Sequence, residues 1–122
     1  MCKLLLSINP EYVEKIFAGI KKYEFRKSRC KRSIDGIIIY CTAPVMQVVG
    51  EVSVTNILID EPEKMWHVVS NAAGITKEFY DNYYNGRKNA VAYRLGTVKR
   101  YTIPKKLIDY GVKHAPQSFV YI

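Results

Sequence analysis

Residues 9–27 read NPEYVEKIFAGIKKYEFRK, and the side-chain period changes in the middle of them. Asn9 is a suitable N-cap, and Pro10 suits the first position of a helix. Val13, Ile16 and Phe17 share one helical face, and Gly19 is placed to end the helix in a left-handed turn. From Lys22 onward the pattern alternates. Tyr23 and Phe25 point to one side; Lys22, Glu24 and Arg26 point to the other, as strand side chains do. The helix therefore feeds a strand that carries Glu24 and Arg26 on one face, with Lys21 just before it.

On the N-terminal side, KLLLSI (residues 3–8) predicts a short buried strand. On the C-terminal side, DGIIIYCTAP (35–44) predicts an apolar strand stopped by Pro44. VMQVVGEVSVTNILI (45–59) predicts a long strand with a bulge or bend at Gly50. Two helices are expected next: one capped by Asp60 with Met65, Trp66 and Val69 as its apolar stripe, and one capped by Thr76 and stopped by Gly86. NAVAYRLGTVKRYTIP (89–104) returns to strand, with Ala90, Ala92 and Arg94 opposed to Val91, Tyr93 and Leu95. The tail APQSFVYI (115–122) ends in a short strand. A bent long strand and this element order fit an α+β fold, a small mixed barrel with flanking helices. No repeat or linker interrupts the chain, so a single domain over residues 1–122 is expected.

The chain has 122 residues and a net charge of +8, an excess that favours an acidic partner such as RNA, a nucleotide or an anionic surface. Between Phe17 and Arg32 stand seven cations (Lys21, Lys22, Arg26, Lys27, Arg29, Lys31 and Arg32) and one acid, Glu24. Cys2, Cys30 and Cys41 are widely spaced, with no CxxC and no Cys/His cluster, so neither a structural metal nor another cofactor is expected. The thiols read as core fillers in a reducing, cytoplasmic setting. Leu4–Leu6 is too short an apolar run for a signal peptide or membrane span, so no membrane partner is expected.

Lys21, Glu24 and Arg26 form the leading candidate site. Arg26 and Lys21 suit a phosphate or a base edge. Glu24 would orient Arg26, accept from a base amino group, or act as a general base; charge alone leaves these open. Lys27, Arg29, Lys31 and Arg32 would follow a phosphate backbone. Tyr40 at a strand end, and Ser7, Thr42, Gln117 and Ser118, are candidate polar cleft residues. Among the aromatics, Tyr12, Phe17, Phe79 and Tyr83 fall at helical spacings that read as core, while Tyr80 and Tyr84 read as the outer face of their helix. Nothing resembles a P-loop, a dinucleotide fingerprint or a GxSxG elbow.

GIKKYEFRK resembles the G-x-K-x-x-E-x-R signature of the ASCH domain, a relative of the PUA domain. Gly19, Lys21, Glu24 and Arg26 match it position for position. LLSINPEYVEKIFAG resembles that family's opening strand and helix, IIIYCTAPVMQVVGEV its central strand pair, and GITKEFYDNYYNG and APQSFVYI a helix and ending found in one branch. The resemblance implies a PUA-like barrel flanked by helices, with the motif lining a cleft that binds RNA. Some members of the family are similar to amidohydrolases that remove an acyl group from a modified cytidine, and those use the lysine, a threonine three residues after it and a glutamate elsewhere; this chain keeps Lys21 and has Glu24 where that threonine would be. The expected function is an RNA-binding module. The alternatives are an enzyme acting on a modified nucleoside or RNA, with Lys21 and Glu24 as its catalytic residues, and a small interaction protein with an apolar dimer face.

Overall fold

The computed structural model describes residues 2–122. Strand β1 (Cys2–Ile8) leads into helix α1 (Pro10–Phe17), then β2 (Tyr23–Arg26), β3 (Ile34–Cys41) and β4 (Gln47–Asp60). Helices α2 (Pro62–Val69) and α3 (Lys77–Tyr83) follow, then β5 (Ala90–Lys105) and β6 (Phe119–Tyr121). The six strands form one curled sheet in the order β2-β5-β4-β3-β1-β6. Among the described residues only β1 and β3 run parallel, and α1 and β2 lie in the long crossover that a parallel pair needs. Strands β2 and β6 are the edges of the hydrogen-bonded order.

The helix and strand signals around residue 9 hold. The Asn9 side chain accepts from the Glu11 amide, Pro10 is the first helical residue, and Gly19 has a φ of +78°. Thr76 caps α3 by accepting from the Phe79 amide. At α2 the cap shifts by one residue: Asp60 is the last residue of β4, and Glu61 precedes Pro62 without a side-chain capping bond. The β4–β5 ladder slips at Gly50, where a Cβ would collide with the Lys99 carbonyl and sit 2.7 Å from the Phe17 ring. That close approach explains the glycine.

Alternation along the strands divides the interior. Leu4, Leu6, Ile37, Ile39 and Val91 pack against α1 through Val13 and Ile16. Ala90 and Ala92, on the other face of β5, pack with Phe25 against α2 and α3. A third cluster joins Leu5, Ile38, Tyr40 and Val48 to the segment around Leu107–Tyr110. Cys30 and Cys41 are buried filler and Cys2 is partly buried.

The aromatic assignment on α3 is reversed. Tyr80 and Tyr84, expected outside, are buried, and Phe79, expected in the core, is 47% exposed. A tyrosine can lie inside because its hydroxyl finds a carbonyl. Tyr80 donates to Pro62 at 2.8 Å, and Tyr84 to Arg26 at 3.0 Å. Tyr12, Phe17 and Tyr83 are only partly buried.

Candidate functional site

Lys21 is positioned by its backbone before its side chain is considered. At the end of α1 the amides of Ile20 and Lys21 both donate to the Lys15 carbonyl, closing the helix and turning the chain toward β2. The segment after α2 then clamps this turn. The Lys22 amide donates to Ala72 at 2.8 Å, Lys15 Nζ to Gly74 at 3.0 Å, and Lys21 Nζ to Ala73 at 2.8 Å. Gly74 has a φ of +71°, and a Cβ there would sit 2.6 Å from Lys21 Cβ.

The Lys21 side chain is 3% exposed. Its ammonium lies 4.8 Å from the Phe25 ring centre and 5.3 Å from that of Tyr12. Aromatic faces replace part of the lost hydration. Burial nevertheless lowers its pKa to about 8, with the charge on Glu24 opposing the fall and Lys15 and Arg26 adding to it.

Glu24 and Arg26 form a second fixed pair, two residues apart on one strand face. Arg26 donates from Nε and Nη2 to Glu24 Oε2 at 3.2 and 2.8 Å, and from Nη2 to the Ser7 carbonyl at 3.1 Å. That last bond ties edge strand β2 back to β1 across the curl. Among the described residues Glu24 Oε1 and Arg26 Nη1 make no hydrogen bond within the chain. One acceptor and two N–H donors therefore stay available, although Glu24 as a whole is only 6% exposed.

These groups line a cavity of about 200 Å³ between α1, β2 and α3. Its polar residues are Asn9, Lys21, Glu24 and Arg26; Tyr12, Phe25, Phe79 and Tyr83 supply aromatic walls. Tyr12 and Phe79 meet edge to face with centres 6.0 Å apart. Because β2 is an edge strand, the cavity wraps its free side and meets both faces, so Phe25 lines it together with Glu24 and Arg26. Burial raises the hydroxyl pKa of Tyr12 and Tyr83, so both walls stay neutral.

The other candidates scatter. Tyr40 is 5% exposed inside the third apolar cluster and does not line the cavity. Thr42 follows β3, with its amide on the Ile8 carbonyl, outside the lining. Ser7 Oγ donates to the Pro116 carbonyl at 2.8 Å, which brings the stretch with exposed Gln117 and Ser118 to the strand whose carbonyl receives Arg26. Lys27, Arg29, Lys31 and Arg32 form an exposed loop beyond β2. Lys27 lies over the Tyr83 ring at 5.0 Å and Arg32 over Tyr121 at 4.5 Å. The Tyr121 hydroxyl accepts from the Lys31 amide at 2.8 Å, so β6 holds this loop in place. Sequence reasoning missed Tyr12, Phe79 and Tyr83 as wall residues. The available signal was the i, i+4 spacing of Phe79 and Tyr83 beside a second aromatic pair, Tyr80 and Tyr84. Among the described residues, no group of His, Cys, Asp and Glu is arranged to hold a metal, and no helix is long and apolar enough to cross a membrane.

Residues 6–99 match the ASCH domain. The chain belongs to the ASCH domain family. The crystal structure of ASCH from Zymomonas mobilis superimposes with a TM-score of 0.89 at 25% identity, covering 98% of this chain and 87% of that one. The curled sheet with flanking helices is thus the α+β, barrel-like ASCH fold that the signature implied. The ASCH domain-containing ribonuclease of Zymomonas mobilis is 28% identical over 92 residues, which is 75% of this chain and 62% of that protein. Two proteins of Ureaplasma parvum serovar 3 are each 28% identical over 120 residues, 98% of this chain. The chain spans 15% of one, ATP synthase subunit alpha, and 39% of the other, large ribosomal subunit protein uL22.

Proposed function

We infer that this ASCH domain binds RNA by taking one base into the cavity between α1, β2 and α3. The observation that carries this reading is the shared cavity of Lys21, Glu24 and Arg26 inside aromatic walls. Its volume of about 200 Å³ lies below the roughly 300 Å³ at which drug-sized pockets begin, and suits a single planar ring better than several nucleotides. Stacking on Phe79, which is 47% exposed, would be tolerant of base identity. Glu24 Oε1 would accept from a ring or amino N–H, and Lys21 and Arg26 Nη1 would donate to ring acceptors or a phosphate. The loop of Lys27, Arg29, Lys31 and Arg32 would carry the adjoining backbone and set the salt dependence. The ribonuclease name of the Zymomonas relative fits an RNA ligand. The Ureaplasma matches place similar segments in proteins of different kinds, so they favour no one partner.

A second reading has its own support. A lysine held near a pKa of about 8 beside a carboxylate is poised for proton transfer on a bound nucleoside or RNA phosphodiester. One experiment separates the two: anisotropy titration of labelled single-stranded RNA, with intact RNA quantified afterwards. Binding lost in Lys21→Ala with the RNA uncut supports the binding module. Cleavage by wild type, abolished in Glu24→Gln while affinity is kept, supports the enzyme. Absence of binding at low salt overturns both for RNA and leaves free modified nucleosides to be screened.

A further inference from the structure

Residues 99–106, KRYTIPKK, lie outside the cavity and interrupt the β4–β5 ladder. Gly50 pairs with Arg100 and Val48 with Lys105, so four residues of β5 stand opposite the single residue Val49. The surplus residues must leave the plane of the sheet. Tyr101 anchors the bulge by packing on the third apolar cluster. Ile103 is left 77% exposed, with Pro104 beside it.

Cations flank this apolar tip. Arg100 is tied to Glu14 at 2.8 Å and lies over the Phe17 ring at 4.3 Å, so its charge is partly spent. Lys99, Lys105 and Lys106 form no ion pair among the described residues. Lys105 is held against the bulge, 4.9 Å from the Tyr101 ring centre. Three acids stand beside the four cations of residues 99–106: Glu14 on Arg100, Glu51 across the ladder from Lys99, and Asp109, which accepts from the Lys106 amide at 3.0 Å. The lysines without an ion pair among the described residues give the bulge a cationic surplus that favours a polyanion.

We propose that the bulge is a second RNA contact, holding a duplex that flanks the strand whose base enters the cavity. The proposal rests on the RNA reading of the cavity. Lys99, Lys105 and Lys106 would meet phosphates, and Ile103 would rest in the wide, shallow minor groove of an A-form helix. A duplex fits better than a second single strand because the aromatic rings at the bulge are engaged: Lys105 lies over both Tyr101 and Tyr110, at 4.9 and 5.9 Å, and both rings pack on the third apolar cluster. The spacing also suits a flank. Glu24 at the cavity pairs with Tyr93, and the bulge begins eight residues later, roughly 25 Å along β5 at about 3.3 Å per residue.

The test compares two labelled RNAs: a single strand of about six nucleotides, and the same strand extending from a hairpin of about twelve base pairs. The proteins are wild type, a Lys99→Ala, Lys105→Ala, Lys106→Ala triple variant, and Ile103→Asp, with melting curves to confirm folding. Wild type is expected to bind the tailed hairpin about tenfold more tightly than the strand. The triple variant is expected to lose that gain while its strand affinity stays within about twofold, and Ile103→Asp to lose part of it. Equal wild-type affinity for the two RNAs overturns the proposal and leaves the cavity reading intact. A gain that survives both sets of substitutions also overturns it. Binding of the hairpin alone, lost in the triple variant, sustains the bulge and removes the cavity reading. Binding of neither RNA overturns both.

Discussion

Two halves of one basic stretch behave differently. Residues 21–26 and 27–32 adjoin each other and are similarly rich in cations, yet the first half is built inward and the second outward. Lys21 is enclosed by two rings and a carbonyl, and Arg26 is fixed to Glu24 and to the Ser7 backbone. Lys27, Arg29, Lys31 and Arg32 are exposed, and the contacts that hold their loop are largely backbone contacts to Tyr121. A cation count does not distinguish them. What sets the candidate site apart is the fixing of charge where water is scarce, because an interaction there is screened less and its geometry is set in advance.

The sharpest way to break this comparison is to remove charge from each half separately. The Lys21→Ala, Arg26→Ala double variant is expected to weaken single-stranded RNA binding about 100-fold at fixed salt, well beyond the counterion share of two charges. Lys31→Ala with Arg32→Ala should cost under about tenfold and lower the salt slope by about 1.4, at 0.7 per phosphate contact. Titrations at several salt concentrations give both numbers. Equal losses would mean that the cavity acts as diffuse charge.

Glycine substitutions test whether the inner half is rigid because it is packed. Gly74 and Gly86 have φ values of +71° and +76°, so the backbone strain of alanine is nearly the same at both. Their surroundings differ: a Cβ at Gly74 meets Lys21 Cβ and Cγ at 2.6 and 2.7 Å, whereas at Gly86 nothing lies within 4 Å. Gly86→Ala should cost about 1 kcal/mol and Gly74→Ala about 2–3 kcal/mol. Only Gly74→Ala should also weaken RNA binding, since it displaces Lys21. Denaturant unfolding and anisotropy read the two effects.

Proton linkage sharpens the comparison further. Burial holds Lys21 near a pKa of about 8 in the fold, while the unfolded chain keeps the ordinary lysine value of about 10.4. Above about pH 8 the unfolded state binds more protons than the folded one, so this lysine's penalty is relieved and stability rises with pH. The gain between about pH 7.5 and 9.5 should be about 1–2 kcal/mol, and Lys21→Met should abolish it. RNA affinity should move the other way, falling about threefold over the same window as the ammonium is lost. Urea unfolding and anisotropy at matched pH values check the pair. A fall in affinity that persists in Lys21→Arg would assign it to another group.

Local rules made most of the fold legible. Asn9, Pro10, Gly19 and Thr76 act within one turn of themselves, and strand alternation separated Ala90 and Ala92 from Val91 and Tyr93 correctly. The motif was legible too, because Glu24 and Arg26 share a strand face whatever surrounds them. The cavity walls were not. Helix α3 carries two aromatic pairs at i, i+4 spacing, Phe79 with Tyr83 and Tyr80 with Tyr84, and period alone cannot say which pair turns inward. The carbonyls of Pro62, Arg26 and Val91 decide it, by accepting the hydroxyls of Tyr80 and Tyr84. Those carbonyls lie on other elements. Asp60 shows the same limit on a smaller scale: a good capping residue was drawn into the end of β4 by its pairing with Ala90.

Tyr40 gives the smallest expected effect and the most specific check on where the site ends. It stands at the end of β3 in the sequence, yet its ring is packed among Leu5, Ile38 and Val48 on the sheet face served by the Leu107–Tyr110 turn. Cavity residues lie across the sheet and beyond its β2 edge. Among the described residues its hydroxyl makes no hydrogen bond, and no buried side-chain polar atom lacks a partner, so that hydroxyl must reach solvent. Removing it strands no buried partner. Tyr40→Phe should therefore change stability by less than about 0.5 kcal/mol and leave RNA affinity and its salt slope unchanged. Tyr12→Phe and Phe79→Leu, read in the same titration, should differ from one another. The first keeps its ring and so its affinity, and the second loses a stacking face and about threefold in binding. A loss at Tyr40 larger than at Phe79 would move the recognition surface to the other face of the sheet.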